Sequence, residues 1–291
     1  MRSRNVPQKF ALSVLAILWL SVSPATAETS GQGAARIVSI GGTITEILYA
    51  LGAEDRIAAV DTTSIYPEAA TEKPDIGYVR QISAEGVLSQ KPDLILAEEG
   101  AGPPDALNIL KASGVEIVMI PNPPQIDAIP AKIRAVGEAV GEMTKAEALA
   151  AETEAKLKKV TTQTSALPKR KKVLFALSLA NGRVMAAGAN TSAAAMIRLA
   201  GGENAVTGVE GYKPLSDEAV IAAAPDVVLV MSGGANHLTA EQAFALPALA
   251  SSPAGKNNAF ITMNGLYLLG LGPRAADAAT DLYNSLYPEG Q

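Results

Sequence analysis

The sequence predicts an α/β protein of two lobes with parallel sheets, joined by one long α-helix. Short apolar runs alternate with amphipathic segments of helical period along the chain, which is the pattern of parallel sheets. A helix–strand unit also occurs twice. Ile82-Ser83-Ala84-Glu85-Gly86-Val87-Leu88 leads through Lys91-Pro92-Asp93 into Leu94-Ile95-Leu96, and Leu215-Ser216-Asp217-Glu218-Ala219-Val220-Ile221 leads through Ala224-Pro225-Asp226 into Val227-Val228-Leu229-Val230. In each, the Ser can cap a short helix, the Glu lies in its first turn, and Pro-Asp stops it before a buried strand. Between the two units, Lys145 to about Val160 is rich in Ala, Glu and Lys with no Gly or Pro, which suits a linking helix.

In the first lobe, Arg36 to Ile40 is a strand, followed by Gly41-Gly42-Thr43 and a helix over Ile44 to Leu51. Thr43 and Glu46 have capping-box spacing, Ile44, Ile47, Leu48 and Leu51 form one apolar face, and Gly52 closes the helix. Gly41-Gly42 lacks the continuation of a phosphate-binding loop. Ile57 to Val60, Leu94 to Ala97 and Val115 to Ile120 are further strands, with a helix over Pro104 to Ala112 ended by Gly114. Ile126 to Val140 is helical. The second lobe restarts after Pro168 and the solvated basic cluster Lys169 to Lys172. Its strands are Val173 to Leu177, Val184 to Ala187, Val227 to Met231 and Ala259 to Thr262. Its helices are Ser192 to Ala200, closed by Gly201-Gly202, and Arg274 to about Leu286. The expected boundaries are 33–141 for the first lobe, 142–167 for the link and 168–291 for the second. In such sheets a ligand settles beyond the carboxyl ends of the strands, so two facing lobes hold it in a cleft.

Residues 1–27 read as a secretory signal peptide: Arg2, Arg4 and Lys9 precede the apolar stretch Phe10 to Val22, and Ala25-Thr26-Ala27 suits cleavage before Glu28. No later stretch approaches the roughly 20 apolar residues of a membrane span. The chain has no cysteine, hence no disulfide, no thiolate metal site and no lipid-anchoring thiol, and an unanchored exported protein best suits a periplasm. The net charge is -5 at pH 7 and becomes more negative once the leader's cations are removed, which argues against a nucleic-acid partner. The one Trp, Trp19, leaves with the leader. The sequence has no G-x-S-x-G and no H-E-x-x-H, and a single His permits at most one imidazole-based catalytic unit, so no enzyme is expected.

Three segments resemble a known family: Arg36 to Glu46, Gly77-Tyr78-Val79-Arg80 followed by Ser83-Ala84-Glu85-Gly86, and Ala187-Gly188-Ala189-Asn190-Thr191. With them the whole mature chain resembles the periplasmic substrate-binding proteins of ABC importers that have two lobes joined by a single helix, and among them the haem-binding proteins. The resemblance implies two Rossmann-like lobes and haem as the transported ligand. It also implies an ABC permease dimer of the inner membrane as partner, with an outer-membrane haem receptor system upstream. A monomer is expected. A ferric-siderophore or corrinoid carrier is the alternative within the same family.

The resemblance makes Tyr78 the expected haem-iron ligand, through its phenolate. A phenol with an ordinary pKa of about 10 needs a hard Fe(III) and a nearby cation to lose its proton at neutral pH. Arg80 is the candidate cation: if Tyr78 to Arg80 is extended, both side chains project to one side. From residue chemistry alone, Tyr78 reads equally as an ordinary half-buried aromatic. Tyr66, in a loop after a strand of the same lobe, is the alternative ligand. Some relatives supply a second-lobe His near the position of Leu179, and its replacement argues for five-coordinate iron. His237 lies in a loop after a strand, and its solitude argues against a zinc or manganese importer. Arg183, Tyr212, Lys213 and Tyr267, with Leu268 and Leu271, are expected to supply cations and walls for the flat apolar cargo.

Glu85 and Glu218 have two readings. Acids in a helix's first turn are stabilised by its dipole. The resemblance implies instead that each meets arginines of the permease, and matching positions in a repeated unit suit a two-fold partner.

Overall fold

The computed structural model describes residues 36–180, 182–233 and 238–288, together with Met1. The expected leader, with Trp19, and His237 lie outside the described residues. Among these, no helix is long and apolar enough to cross a membrane.

The N-terminal half runs β1 (Ile37–Ile40), α1 (Gly42–Ala50), β2 (Ile57–Val60), α2 (Ala84–Ser89), β3 (Leu94–Glu98), α3 (Pro104–Ala112), β4 (Glu116–Ile120) and α4 (Ile129–Val140). Its four strands are all parallel, in the order β2-β1-β3-β4. After α5 (Met143–Ser165) the C-terminal half continues with β5 (Lys172–Ala180), β6 (Arg183–Ala187), α6 (Ser192–Leu199), β7 (Glu203–Asn204), β8 (Tyr212–Pro214), α7 (Asp217–Ala223) and β9 (Val227–Ser232). Then follow α8 (Ala240–Phe244), α9 (Pro247–Ala250), α10 (Pro253–Lys256), β10 (Phe260–Asn264), α11 (Gly265–Leu269) and α12 (Ala275–Leu286).

The α/β reading with parallel strands therefore holds, with one qualification. In the second sheet, β10-β9-β5 are parallel, but β6 pairs antiparallel with β5 and β8 antiparallel with β6. The physical reason is a tight β5–β6 connection that pairs Ala180 with Arg183, too short for a crossover helix.

Strand side chains alternate between two layers, because successive residues point to opposite faces. Leu94 and Leu96 of β3, with Val173 and Phe175 of β5, enter one core that runs through both halves and includes Leu157 of α5. Ile95 and Ala97 enter a core confined to the N-terminal half, and Leu174 and Ala176 one confined to the C-terminal half. Helix α5 is polar apart from one buried stripe, Ala146, Ala150, Thr153, Leu157, Val160 and Thr164, spaced by fours and threes as one helical face requires. With it α5 packs against α4, α6 and α12. Gly137 of α4 allows the closest approach, since a side chain there would overlap Ala146 Cβ.

The capping box expected at Thr43 and Glu46 is absent. Helix α1 starts at Gly42 without a side-chain cap, and both residues face the C-terminal half. The hydroxyl of Thr43 donates to the Gly270 carbonyl at 2.8 Å, and Glu46 pairs with Arg274. The two repeated helices do begin as expected. Ser83 accepts from Gly86 N and Ser216 from Ala219 N, each at 3.3 Å.

Candidate functional site

The carboxyl ends of β1, β2 and β3 carry a buried polar frame. Asp61, just past β2, accepts from Gly41 N, Thr63 N, the Thr63 hydroxyl and the Ser64 hydroxyl at 2.6–3.0 Å. Gly42 starts α1 where a side chain would overlap the Thr63 carbonyl oxygen, and its own N–H donates to Thr63 Oγ1. This ties the start of α1 to the loop that carries Tyr66.

The Tyr78 segment is fixed to that frame. Gly77 O accepts from Thr62 N at 3.0 Å, Val79 O accepts from Gly102 N at 2.9 Å, and Ile82 N donates to Gly102 O at 2.9 Å. Ile76, Val79 and Ile82 are buried in the core of the N-terminal half, whereas Tyr78 is 45% exposed and Arg80 is also exposed. The expected extended geometry is not found: Gln81 N donates to Tyr78 O at 2.7 Å, so Tyr78 to Gln81 is a tight turn. Every third residue is the anchor, and those between face outward.

The charge of Arg80 is felt in both halves: it acts on Glu98, at the end of β3, and on Tyr212, in β8. Burial pushes the Tyr212 phenol upward and Arg80 opposes that shift. The Tyr212 ring lies edge-on to Phe175, with centroids 6.3 Å apart. Burial, aided by the Asp61 charge, pushes the Glu98 carboxyl up to about 7, while Lys132 and Arg80 oppose it. Lys132, 4% exposed, is lowered to about 8 by burial, with Glu98 and Glu46 opposing. Its ammonium donates to Asn122 Oδ1 at 2.7 Å and to the Leu271 and Gly270 carbonyls at 3.0 and 3.3 Å.

Of the remaining sequence-predicted residues, Tyr66 and Tyr267 meet at Arg274, lining a small pocket with Asn264 and Asp281, and the others disperse. Tyr66, 42% exposed, lies under the Arg274 guanidinium, 3.4 Å from its ring centroid. Tyr267 is 5.1 Å from the same cation and donates its hydroxyl to Asp281 at 2.8 Å, which, after burial, helps raise its pKa. Leu268 and Leu271 are correspondingly not walls of a cleft. They are 0% and 2% exposed in the shared core. Lys213 pairs with Ala186 and Tyr212 with Ala187, so alternation puts Lys213 on the opposite face of β8 from Tyr212. Arg183, first in β6, acts on Glu218 at the start of α7. Leu179 packs against the core of the C-terminal half. Glu85 and Glu218 are both exposed, each two residues past its capping serine.

Sequence reading missed Glu98, Lys132, Asn122 and Arg274. One signal was available: Lys132 falls in the apolar stripe Ile129, Ile133, Val136 of α4, where a lysine needs buried partners. A separate groove of about 1040 Å³ lies between α4, α5 and α6. It has charges of both signs, among them Arg134, Lys158 and Glu154, and none of the sequence-predicted residues, so the Tyr78 turn remains the candidate site. Among the described residues no group of three His, Cys, Asp or Glu could hold a metal ion.

Residues 37–265 match the family described as periplasmic binding protein. The chain belongs to that family. Among solved structures of periplasmic binding proteins, it is similar to the periplasmic heme-binding protein RhuT from Roseiflexus sp. RS-1 in apo form. The two are 40% identical, with 88% of this chain and all of that one covered and a TM-score of 0.81. It is also similar to the periplasmic heme-binding protein BhuT in complex with two hemes, at 36% identity, 86% and 97% coverage and a TM-score of 0.80. The vitamin B12-binding protein of Yersinia pestis (strain Pestoides F) is 39% identical over 98 residues, which is 34% of this chain and 35% of that protein.

Proposed function

We propose that this chain is a periplasmic substrate-binding protein that captures haem between two lobes, 33–141 and 168–291, linked by the 142–167 helix. It delivers the cargo to an inner-membrane ABC permease and performs no catalysis. The observation that carries the reading is the Tyr78 turn. It presents a phenol outward on a backbone held at three points, beside a cation whose field reaches both halves. The heme-binding relatives at 36–40% identity support it.

Ferric iron is a hard acid, and it would take the Tyr78 oxygen as a phenolate, with Arg80 stabilising the anion and attracting the propionates. Tyr212, half-buried and backed edge-on by Phe175, would form the apolar wall across the gap. Glu85 and Glu218, alike in helix position and exposure, would both meet the permease.

Titration with hemin tests this reading. A stoichiometric complex with a high-spin ferric spectrum and a charge-transfer band is expected, with the band lost in Tyr78→Ala and kept in Tyr66→Ala. Loss in Tyr66→Ala alone would transfer the ligand role to Tyr66. The partial match to a vitamin B12-binding protein supports a second reading, a corrinoid carrier. Stoichiometric cobalamin binding without hemin binding would establish it.

A further inference from the structure

The segment Gly270–Arg274 belongs in sequence to the C-terminal half but is held by α1 and α4 of the N-terminal half. Gly270 O accepts from Thr43 and Lys132, Leu271 O accepts from Lys132, and Arg274 pairs with Glu46. Leu271 itself is buried at φ 49, a left-handed conformation that a branched apolar residue adopts only when its surroundings impose it. On its other side Lys132 donates to Asn122, and Asn122 Nδ2 donates to Glu98 Oε2 at 3.3 Å. Glu98 in turn packs on the bare backbone of Gly41 and feels the charge of Arg80. A hydrogen-bonded path thus runs from Glu98, within reach of the Arg80 charge, to the contact between the halves.

We infer that Lys132 is a positioning residue through which an anionic ligand at Arg80 loosens the grip on Gly270–Arg274, with Glu98 as the intermediary. The steps follow from charge alone. Carboxylates of the ligand offset the positive charge of Arg80. The groups facing Glu98 are then Asp61, which favours its neutral form, and Lys132, now the one cation opposing it. Glu98 takes a proton from solvent. Lys132 keeps only Glu46 as a favourable charge, and Glu46 is shared with Arg274. A buried ammonium that has lost a counter-charge costs more to keep from water, so openings that hydrate it away from the Gly270 and Leu271 carbonyls become more frequent, and the halves gain freedom once cargo is aboard.

The inference rests on the cargo being an anion bound beside Arg80, and the test separates the two claims. Calorimetry of hemin binding at pH 7.5, in buffers of different ionisation enthalpy, counts the proton that Tyr78 gives up together with any that Glu98 takes, so the wild type should release fewer protons than Glu98→Gln. Amide exchange of residues 270–274 should accelerate at least tenfold on hemin binding, and Glu98→Gln should abolish the difference. Lys132→Arg should preserve the response, and Lys132→Met should exchange rapidly with or without hemin. Without any ligand, lowering the pH from 8 to 6 should itself speed exchange there after correction for intrinsic rates, in the wild type but not in Glu98→Gln. A proton count on hemin binding that is the same in the wild type and in Glu98→Gln overturns the coupling. Failure of hemin to bind, with the pH response of 270–274 intact, overturns the haem reading alone.

Discussion

Glu46 accepts both guanidinium hydrogen bonds of Arg274, at 3.0 and 2.8 Å, across 228 residues of sequence. Glu46 is 6% exposed and Arg274 24%, so the pair is largely desolvated. Removing one partner from such a pair leaves a buried charge uncompensated and costs about 3–5 kcal/mol. Arg274→Ala should approach that range in urea unfolding. Glu46→Gln should lose less, since the amide oxygen still accepts and the stack on Tyr66 remains. A double change to apolar residues of similar volume should recover much of the loss.

The stack of Arg274 on Tyr66 gives the two tyrosines different expected phenotypes. A cation over an aromatic face is worth about 0.5–2 kcal/mol depending on desolvation, and the phenolic oxygen contributes little to it. Tyr66→Phe should leave both stability and the hemin spectrum unchanged, and Tyr66→Ala should cost about 1 kcal/mol with the spectrum intact. Tyr78→Phe should do the reverse, keeping the melting temperature and losing the charge-transfer band.

Glu98 gives the fold an unusual pH dependence. Its folded pKa, about 7, lies above the ordinary 4.5, so the folded state binds the proton more tightly than the unfolded chain. Stability from this group is full below the unfolded value and is lost as pH rises through about 7, by at most about 3 kcal/mol. Lys132 adds a slope of its own only above pH 8, where stability rises again toward 10.5. Melting temperatures measured from pH 5 to 7 should fall in the wild type and stay level in Glu98→Gln. The same protonation that stabilises the fold loosens the grip on Gly270–Arg274, because Lys132 is one of the cations holding the Glu98 pKa down.

Most of the scaffold was legible because it is locally encoded. The serine caps of α2 and α7, the bounds of α3 and the four strands of the first sheet follow from period, caps and glycines within a few residues. The turn that exposes Tyr78 is also local, but its spacing of anchors at Ile76, Val79 and Ile82 mimics neither helix nor strand. Thr43 and Glu46 satisfied a local pattern and were misread, since their partners, Gly270 and Arg274, are in the other half. Asn181-Gly182 is a hairpin signal in the sequence that the parallel reading passed over, and with it went the antiparallel β6 and β8 and the opposed faces of Tyr212 and Lys213. The Glu98–Asn122–Lys132 path was illegible as a whole, because its members come from β3, the segment after β4 and α4, and nothing in a linear pattern pairs them.

Of the two candidate docking acids, Glu218 lies within reach of a cation, Arg183. Ser216 and the backbone hold the Glu218 carboxyl low, and the Arg183 charge contributes to that shift. Across from it, α2 begins with Glu85 as its one acid, and α7 with both Asp217 and Glu218. A permease arginine approaching Glu218 must therefore compete with a resident cation, whereas Asp217 partly compensates by adding negative charge. Both Glu85→Lys and Glu218→Lys should leave hemin binding unchanged, because neither residue lines the Tyr78 turn. In vesicles containing the cognate permease, Glu85→Lys should reduce hemin transfer at least tenfold, and Glu218→Lys by less. Arg183→Ala should raise transfer in the wild-type background and have no effect when Glu218 is already reversed. Equal losses from the two reversals, with Arg183→Ala silent, would mean that Arg183 plays no part in docking.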